Sequence, residues 1–328
     1  MANILVTGGA GYIGSHVVRQ LCDAGHHVVV YDNLSTGFAE SVDKRAVFVG
    51  GDVADTNALA AALSDHNIAA VLHFAAYIVV PESVADPLKY YTNNTMGTLS
   101  LLRAMQRVGV SLMVFSSTAA VYGVPLQTGA IAESAPLQPI SPYGHSKLMS
   151  EQMIRDAAAA HGLRHVILRY FNVAGAEVDG SNGQRSKMAT HLIKVACEVA
   201  TAKRAQLEIY GDDYPTPDGT CVRDYIHVVD LAQAHVLALD HLLSGDEADQ
   251  NLTLNCGYGR GASVAQVVAT LEDCLGRVLP KRMGLRRAGD PPALVADASL
   301  LRQKLHWQPK HEALSTIVRT ALAWEQKL

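Results

Sequence analysis

Short apolar runs alternate with longer segments of helical period through the first half of the chain. The runs fall at residues 4–7, 28–31, 46–49, 70–73 and 112–116. This rhythm predicts strands joined by helices, and therefore a parallel sheet assembled from βαβ units. Glycine marks the helix stops because it takes the left-handed conformation at little cost. Gly25 follows the first helix, and Gly109 follows the one expected to start at Asn93 and Asn94. Ser141-Pro142 reads as a cap followed by proline at the first helical position, with Gly162 as the stop. The helix between them carries Tyr143 and Lys147.

Beyond residues 166–170 the rhythm breaks into a glycine-rich polar stretch at 175–183, the best boundary between domains. The second half is less regular, with a helix over 191–202, a strand at 207–210 and Gly/Pro-rich loops such as 211–219. The apolar segment 228–243 reads as a return to the first domain. The expected fold is α/β: a Rossmann-type doubly wound parallel sheet over 1–173, with the chain returning to it around 224–245. A smaller mixed α/β substrate domain is expected over 174–328.

Charge and cysteine content remove some function classes. Twenty-seven Lys and Arg against 31 Asp and Glu leave a net charge of -4, without the basic excess that nucleic acid or anionic lipid selects. No nucleic-acid or membrane partner is expected. Cys22, Cys197, Cys221, Cys256 and Cys274 are scattered without a C-x-x-C pair and read as reduced thiols, and no metal is expected. The chain opens straight into an apolar run with no basic leader, and no apolar stretch is long enough to span a bilayer. A soluble cytoplasmic protein is expected.

Gly8, Gly11 and Gly14 follow a strand and open a helix whose first residues are Tyr12 and Ile13. Glycine at those positions turns the chain tightly, admits a pyrophosphate and packs helix on strand, while the helix N-terminus offers N–H groups to phosphate. Asp32, 18 positions after Gly14 and followed by Asn33, ends the second strand, where an acid accepts bonds from the adenosine ribose. An acid there disfavours a 2'-phosphate, so NAD is expected rather than NADP. Asp52-Val53, after the third strand, either meets the adenine ring or forms a turn. Phe74 leads into Ala75-Ala76, small residues that let a cofactor approach the backbone; His73 reads as a packed core histidine. One of Asn93 and Asn94 is expected to hold structure beneath the nicotinamide.

Tyr143 and Lys147 are four apart and share one helix face. A free phenol, with a pKa near 10, is a poor base at neutral pH. A lysine charge about 4 Å away contributes roughly 4 kcal/mol of gross attraction at an effective dielectric of about 20, an upper bound that suffices to populate the phenolate. Thr118 lies just past the fifth strand, where ligands bind open α/β sheets, and can donate to a substrate oxygen. Together the three suit oxidation of an alcohol to a ketone.

These residues resemble the extended short-chain dehydrogenase/reductase family, in its nucleotide-sugar 4-epimerase branch. The likeness covers nearly the whole chain: Thr7-Gly-Gly-Ala-Gly-Tyr-Ile-Gly-Ser-His16, His73-Phe-Ala-Ala76, Ser141-Pro-Tyr-Gly-His-Ser-Lys147, Leu168-Arg-Tyr-Phe-Asn172, Gly211-Asp-Asp-Tyr-Pro-Thr-Pro-Asp-Gly-Thr220 and Val222-Arg-Asp-Tyr-Ile-His227. It implies reversible C4 epimerisation of UDP-glucose and UDP-galactose through a 4-keto sugar, with tightly bound NAD. Thr118 and Tyr143 would address the sugar and Lys147 the nicotinamide ribose. Asn93 and Tyr170 would lie at the cofactor, and Phe171-Asn172 at cofactor or sugar diphosphate. The second domain would bind UDP, with His191-Leu192 near the nucleotide, Tyr210 flat against uracil, and Arg223, Arg287 and Asp290 at diphosphate or ribose. Arginine suits phosphate through bidentate bonds. Read without the resemblance, Arg223 could pair with an acid and Tyr210 could be core. The resemblance also implies a homodimer joined through the helix after Asn94 and the Tyr143 helix.

Departures from the pattern leave the substrate range open. Ile78 stands where relatives often carry a polar group, and His191 where asparagine is frequent. Leu294 occupies the position whose bulk helps decide whether a C2 N-acetyl group fits, and leucine falls between the excluding and admitting sizes, so action on UDP-GlcNAc and UDP-GalNAc stays open. Relatives that dehydrate need an acidic pair after the threonine; here the residues are Ala119 and Ala120. A UDP-glucuronate 4-epimerase or decarboxylase, and an NAD-sensing binding protein, are the remaining alternatives.

Overall fold

A computed structural model describes residues 1–125, 129–186, 189–245, 251–287 and 290–328. The first half runs β1 (Asn3–Thr7), α1 (Tyr12–Asp23), β2 (His27–Asp32), β3 (Val47–Gly50), α2 (Thr56–Asp65) and β4 (Ala70–His73). It continues through α3 (Val80–Ala85), α4 (Pro87–Tyr90), a π-helical turn (Tyr91–Met96), α5 (Gly97–Val108), β5 (Leu112–Thr118), α6 (Pro142–His161) and β6 (Arg164–Tyr170). The second half holds β7 (Asn172–Ala174), α7 (Leu192–Ala200), β8 (Leu207–Tyr210), β9 (Val222–His227), α8 (Val228–Ser244) and β10 (Asn251–Cys256). It ends with β11 (Gly261–Ser263), α9 (Val264–Leu275), β12 (Lys281–Gly284), β13 (Ala293–Leu294), α10 (Ser299–Leu305) and α11 (Leu314–Glu325).

Seven strands form the main sheet in the order β10-β6-β5-β4-β1-β2-β3. The pairs β1·β2, β1·β4, β2·β3 and β4·β5 are parallel. β4 and β5 are buried along their whole length, as a sheet covered on both faces requires, whereas β3 at the edge leaves Val47 and Phe48 exposed. One face packs Leu5, Val71, Met113 and Phe115 against Leu59 and Leu63 of α2 and Leu101 and Met105 of α5. Each such side chain contributes about 1.5–3 kcal/mol of burial. The strand order reverses between β4 and β1, so the carboxyl ends of these strands flank the crevice where such sheets bind ligands.

Two compact units divide the chain: Met1–Val121, Pro139–Arg169 and Ala232–Leu254 make the first, and Tyr122–Gln138, Tyr170–Leu231 and Asn255–Leu328 the second. The sequence put the first crossing after residue 173 and the return at 224–245, and gave no sign of the Tyr122–Gln138 excursion, which has no hydrophobic period. Discrete polar contacts hold that excursion within the second unit. Tyr122 Oη donates to Asn255 Oδ1 at 2.6 Å, Asn255 Nδ2 donates to the Ile131 carbonyl at 2.8 Å, and Glu133 accepts from the Asn255 N–H at 2.7 Å. In the second unit β9 is flanked by β11, β13 and β7, and β8 pairs with β12. Among the described residues no helix is long and apolar enough to cross a membrane.

Candidate active site

The three glycines of the β1–α1 turn serve different needs. Gly8 has φ +70°, and a Cβ there would lie 2.6 Å from the Ala75 nitrogen; a Cβ on Gly14 would lie 2.3 Å from the Gly8 carbonyl oxygen. The fold itself requires both. A Cβ on Gly11 would meet only the Gly8 oxygen, at 3.2 Å, so the space beside it is open. Gly11 is also the N-cap of α1 and gives no side-chain hydrogen bond, and Tyr12 and Ile13, half-buried, begin the helix. An open face at an uncapped helix start fits a pyrophosphate.

At the end of β2, Asp32 Oδ2 accepts from the Ala10 N–H at 3.0 Å and Oδ1 from the Leu34 N–H at 2.8 Å. Each oxygen keeps acceptor capacity for a ribose hydroxyl. Asn33 donates to Asp52 Oδ2 at 2.9 Å, and Asp52 Oδ1 accepts from Ala54 N–H at 2.8 Å, so Asp52 forms the turn. Val53 is buried in the core cluster, where it faces Gly97. Phe74 lies 4.7 Å from the His235 ring, and Ala75 and Ala76 are half-buried beside Gly8. His73 is buried between the Thr7 hydroxyl at 2.6 Å and the Thr98 hydroxyl at 3.2 Å. Burial, and then the Lys147 charge, push its pKa down to about 3, so the ring is neutral.

Asn93 and Asn94 do not start a helix. Helical backbone runs unbroken from Pro87 to Val108, and both residues sit in its π turn. The extra residue in that turn aims Asn94 inward, where it exchanges bonds with both polar groups of the Tyr77 backbone, at 2.9 and 3.0 Å, and donates to Ser146 Oγ at 3.0 Å. Asn93, half-buried, donates to Asn94 Oδ1 at 2.9 Å. Asn94 is thus the member of the pair that holds structure.

α6 places the reacting groups. Ser141 caps it by accepting from the Gly144 N–H at 3.2 Å, with Pro142 at the first position, and Gly162 ends it at φ +70°. A Cβ on Gly144 would lie 2.7 Å from the Ala120 oxygen, so the helix starts close against the turn after β5. Thr118 accepts from the Ala120 N–H at 3.1 Å, which leaves its hydroxyl hydrogen for the bond it makes to Tyr143. Lys147 Nζ donates to the Ser116 carbonyl at 2.9 Å and lies 4.8 Å from the centre of the Phe115 ring. The structure therefore gathers Thr118, Tyr143 and Lys147 at the end of β5.

Burial sets the protonation of this trio. It pushes the Tyr143 phenol up to about 12, with the Thr118 bond acting the other way, and pulls the Lys147 amine down to about 7, with the Glu151 charge opposing. Burial, which both groups share, opposes the ionised phenol and adds to the picture a cost that spacing alone does not contain. Glu151, which sequence reasoning passed over, is fully buried and bonded to Ser117, Arg169 and Arg155. Its signal was present as the next position four residues beyond Lys147.

The second unit forms two groupings. Asn172, His191 and Leu192 line one cleft with Gly175, Lys194 and Glu325. The His191 Nδ1 is buried without a partner, and burial lowers its pKa. Lys194 is ion-paired to Glu325 and Glu198, a network that no motif announced. Phe171 is buried, its N–H donating to the Cys256 carbonyl at 3.1 Å, and Tyr170 is half-buried. In the other grouping the Arg287 guanidinium lies 3.8 Å from the centre of the Tyr210 ring, and Arg223 is paired with Asp290. Leu294 stands beside Arg223 in the β13·β9 register and is half-buried. A flat ring with an arginine on one face, next to a paired arginine and aspartate, can stack a base and bind phosphate oxygens.

Comparison with known proteins places the chain among its relatives. Residues 4–257 match the NAD dependent epimerase/dehydratase family. The chain is 57% identical over 325 residues to a UDP-glucose 4-epimerase of Azospirillum brasilense, covering 99% of this chain and 92% of the relative. The crystal structure of UDP-glucose 4-epimerase from Brucella ovis in complex with NAD superposes with a TM-score of 0.95 at 48% identity, covering 99% of both chains. That of the Stenotrophomonas maltophila UDP-glucose 4-epimerase, with bound NAD and formylated UDP-arabinopyranose, gives 0.94 at 41% identity, covering 100% of this chain and 98% of that one.

Proposed function

The chain belongs to the NAD dependent epimerase/dehydratase family, and on that premise we propose that it interconverts UDP-glucose and UDP-galactose at C4 through a 4-keto sugar. The observation that carries the reading is the gathering of Thr118, Tyr143 and Lys147 beside Ala119 and Ala120. Oxidation at C4 can be reversed there, but no acidic pair follows the threonine to move protons at C5 and C6 for dehydration.

Gly8, Gly11 and Gly14 with the start of α1 would hold the pyrophosphate of NAD, Asp32 the adenosine ribose, and Lys147 the nicotinamide ribose. When bound, NAD supplies a hydride acceptor and then donor at C4, and a positive ring that favours the Tyr143 phenolate. Tyr143 takes the proton of the C4 hydroxyl as the C4–H bond breaks, and the Thr118 hydroxyl turns from Tyr143 to donate to the same oxygen. Once the sugar has turned its other face, hydride returns to C4 and Tyr143 gives its proton back, inverting the centre. Tyr210, Arg223, Arg287 and Asp290 would hold the UDP, so the binding energy lies in the part that does not turn.

Purified protein is expected to interconvert the two sugars without added cofactor, and Tyr143→Phe to lose about 10³-fold in kcat with NAD still bound. Full turnover by a folded Tyr143→Phe would remove the assignment. Wild-type protein that retained NAD but turned over no nucleotide sugar would instead favour a binding protein.

A cytoplasmic homodimer belongs to the same proposal. Apolar exposure at Met96, 50%, and Met149, 46%, on the elements expected to join the protomers supports it. Sedimentation as a monomer at micromolar concentration would count against it.

A further inference from the structure

Three consecutive residues at the end of β5 hold three successive turns of α6. Thr118 bonds Tyr143, the Ser116 carbonyl accepts from Lys147, and Ser117 Oγ donates to Glu151 Oε1 at 2.6 Å. Positions 143, 147 and 151 recur every four residues and so lie on one helix face. The first two react with substrate or touch the cofactor in the proposed mechanism. Glu151 has no such role, yet it is fully buried and held from three sides. Arg169 of β6 donates from Nε at 2.9 Å and Nη2 at 2.6 Å, and Arg155 from Nη2 at 2.7 Å. The Arg169 fork is 2% exposed and fixes the plane of the carboxylate. A buried pair of this kind is weak evidence for stability, because desolvation offsets most of the attraction. Its placement one turn from Lys147 points to another purpose.

We infer that Glu151, seated by Ser117 and Arg169, is a positioning residue that keeps the Lys147 amine protonated and docked on the Ser116 carbonyl. The inference deepens the proposed site and rests on the roles given there to Tyr143 and Lys147. On α6 itself, Lys147 is accompanied by Tyr143, Glu151 and, beyond it, Arg155. From β4 it faces His73, whose ring is neutral, and from β5 the Phe115 ring; Arg169 of β6 is committed to Glu151. The π turn and α5 present Asn94 and Thr98, which are uncharged, while Arg103 and Arg107 on α5 are exposed. The short helices α3 and α4 carry Glu82 and Lys89, paired with each other at 2.6 Å. Among these groups Glu151 is the one whose charge opposes the loss of the Lys147 proton.

The test is Glu151→Gln in the NAD-loaded enzyme. Removing the negative charge and leaving Arg169 unpaired both weaken the hold of Lys147 on its proton. The alkaline limb of kcat is expected to move down by about one pH unit, a roughly tenfold loss of the ammonium form above it, with KM for UDP-galactose within about twofold. Tyrosinate absorbance, taken as a difference against Tyr143→Phe, reads the same event without sugar and should show the phenolate at higher pH. That titration separates failure of this inference from failure of the substrate assignment. Should the single variant not fold, Glu151→Gln combined with Arg169→Met leaves no guanidinium buried without its carboxylate and should shift both readouts the same way. A folded variant with limb and titration unchanged would overturn the inference, as would an equal loss of kcat at every pH. Failure of both variants to fold would overturn it too, since the fold itself would then require Glu151.

Discussion

Replacing Gly11 or Gly14 by alanine separates what the fold needs from what the cofactor needs. At Gly14 the added carbon would sit 2.3 Å from the Gly8 oxygen and 3.0 Å from Gly9 Cα, both backbone atoms, so the turn must move by about 1 Å. Overpacking of that kind costs about 1–3 kcal/mol or more, and better helix propensity returns about 1 at most. A net loss near 2 kcal/mol lowers the melting temperature by about 5 °C in a chain of this size. At Gly11 the backbone is extended, with φ -78° and ψ 175°, open to any residue, and the one close atom is 3.2 Å away. Alanine there narrows the unfolded ensemble by about 0.4–1 kcal/mol, which the tight contact partly cancels, so stability stays within about 1 kcal/mol of wild type. Its methyl group stands where the pyrophosphate must come, and a loss of about 3 kcal/mol in NAD binding, over a hundredfold, is expected. Melting curves belong on NAD-free protein, because a ligand that binds only the folded state raises the apparent stability. NAD per chain after gel filtration gives the second readout. Retention of NAD by Gly11→Ala at the wild-type level, or wild-type stability of Gly14→Ala, would refute the division of roles.

Lys147→Met should abolish turnover yet stabilise the NAD-free protein by about 2 kcal/mol, because burial strips hydration from the ammonium and pulls it down to about 7; a lower denaturant midpoint than wild type would contradict this. His73 and His165 have folded pKa values of about 3 and about 4, both below the unfolded value of 6.5. Their contribution is therefore intact above pH 6.5 and is lost as pH falls toward those values, by up to about 1.4 kcal/mol per unit for each. Urea midpoints between pH 6.5 and 4.5 should fall less steeply in His73→Gln than in wild type, and equal slopes would assign the effect elsewhere. Leu294→Tyr should lower turnover of UDP-N-acetylgalactosamine relative to UDP-galactose; an unchanged ratio would show that Leu294 is not the gate.

Periodicity and local chemistry made much of the first unit readable. The caps at Ser141 and Gly162 delimit α6, and the glycine spacing placed the β1–α1 turn, because each depends on residues within one or two turns of chain. Asn93 and Asn94 were misplaced for the same reason. Local pattern shows two asparagines before a helical period, but the π turn that carries them is maintained by Tyr77 and Ser146, 17 and 52 residues from Asn94.

The sequence by itself determined the parallel sheet, the glycine turn, Asp32, and the shared face of Tyr143 and Lys147, since strand and helix periods and cap preferences act over short stretches. Tertiary structure alone decided what those residues can do. It buried Tyr143 and Lys147 together, so that one is raised to about 12 and the other lowered to about 7. It turned Val53 into the core, paired Arg223 with Asp290, and set Glu151 against Arg169. Desolvation and charge pairing depend on neighbours distant in the chain, and no local pattern records them.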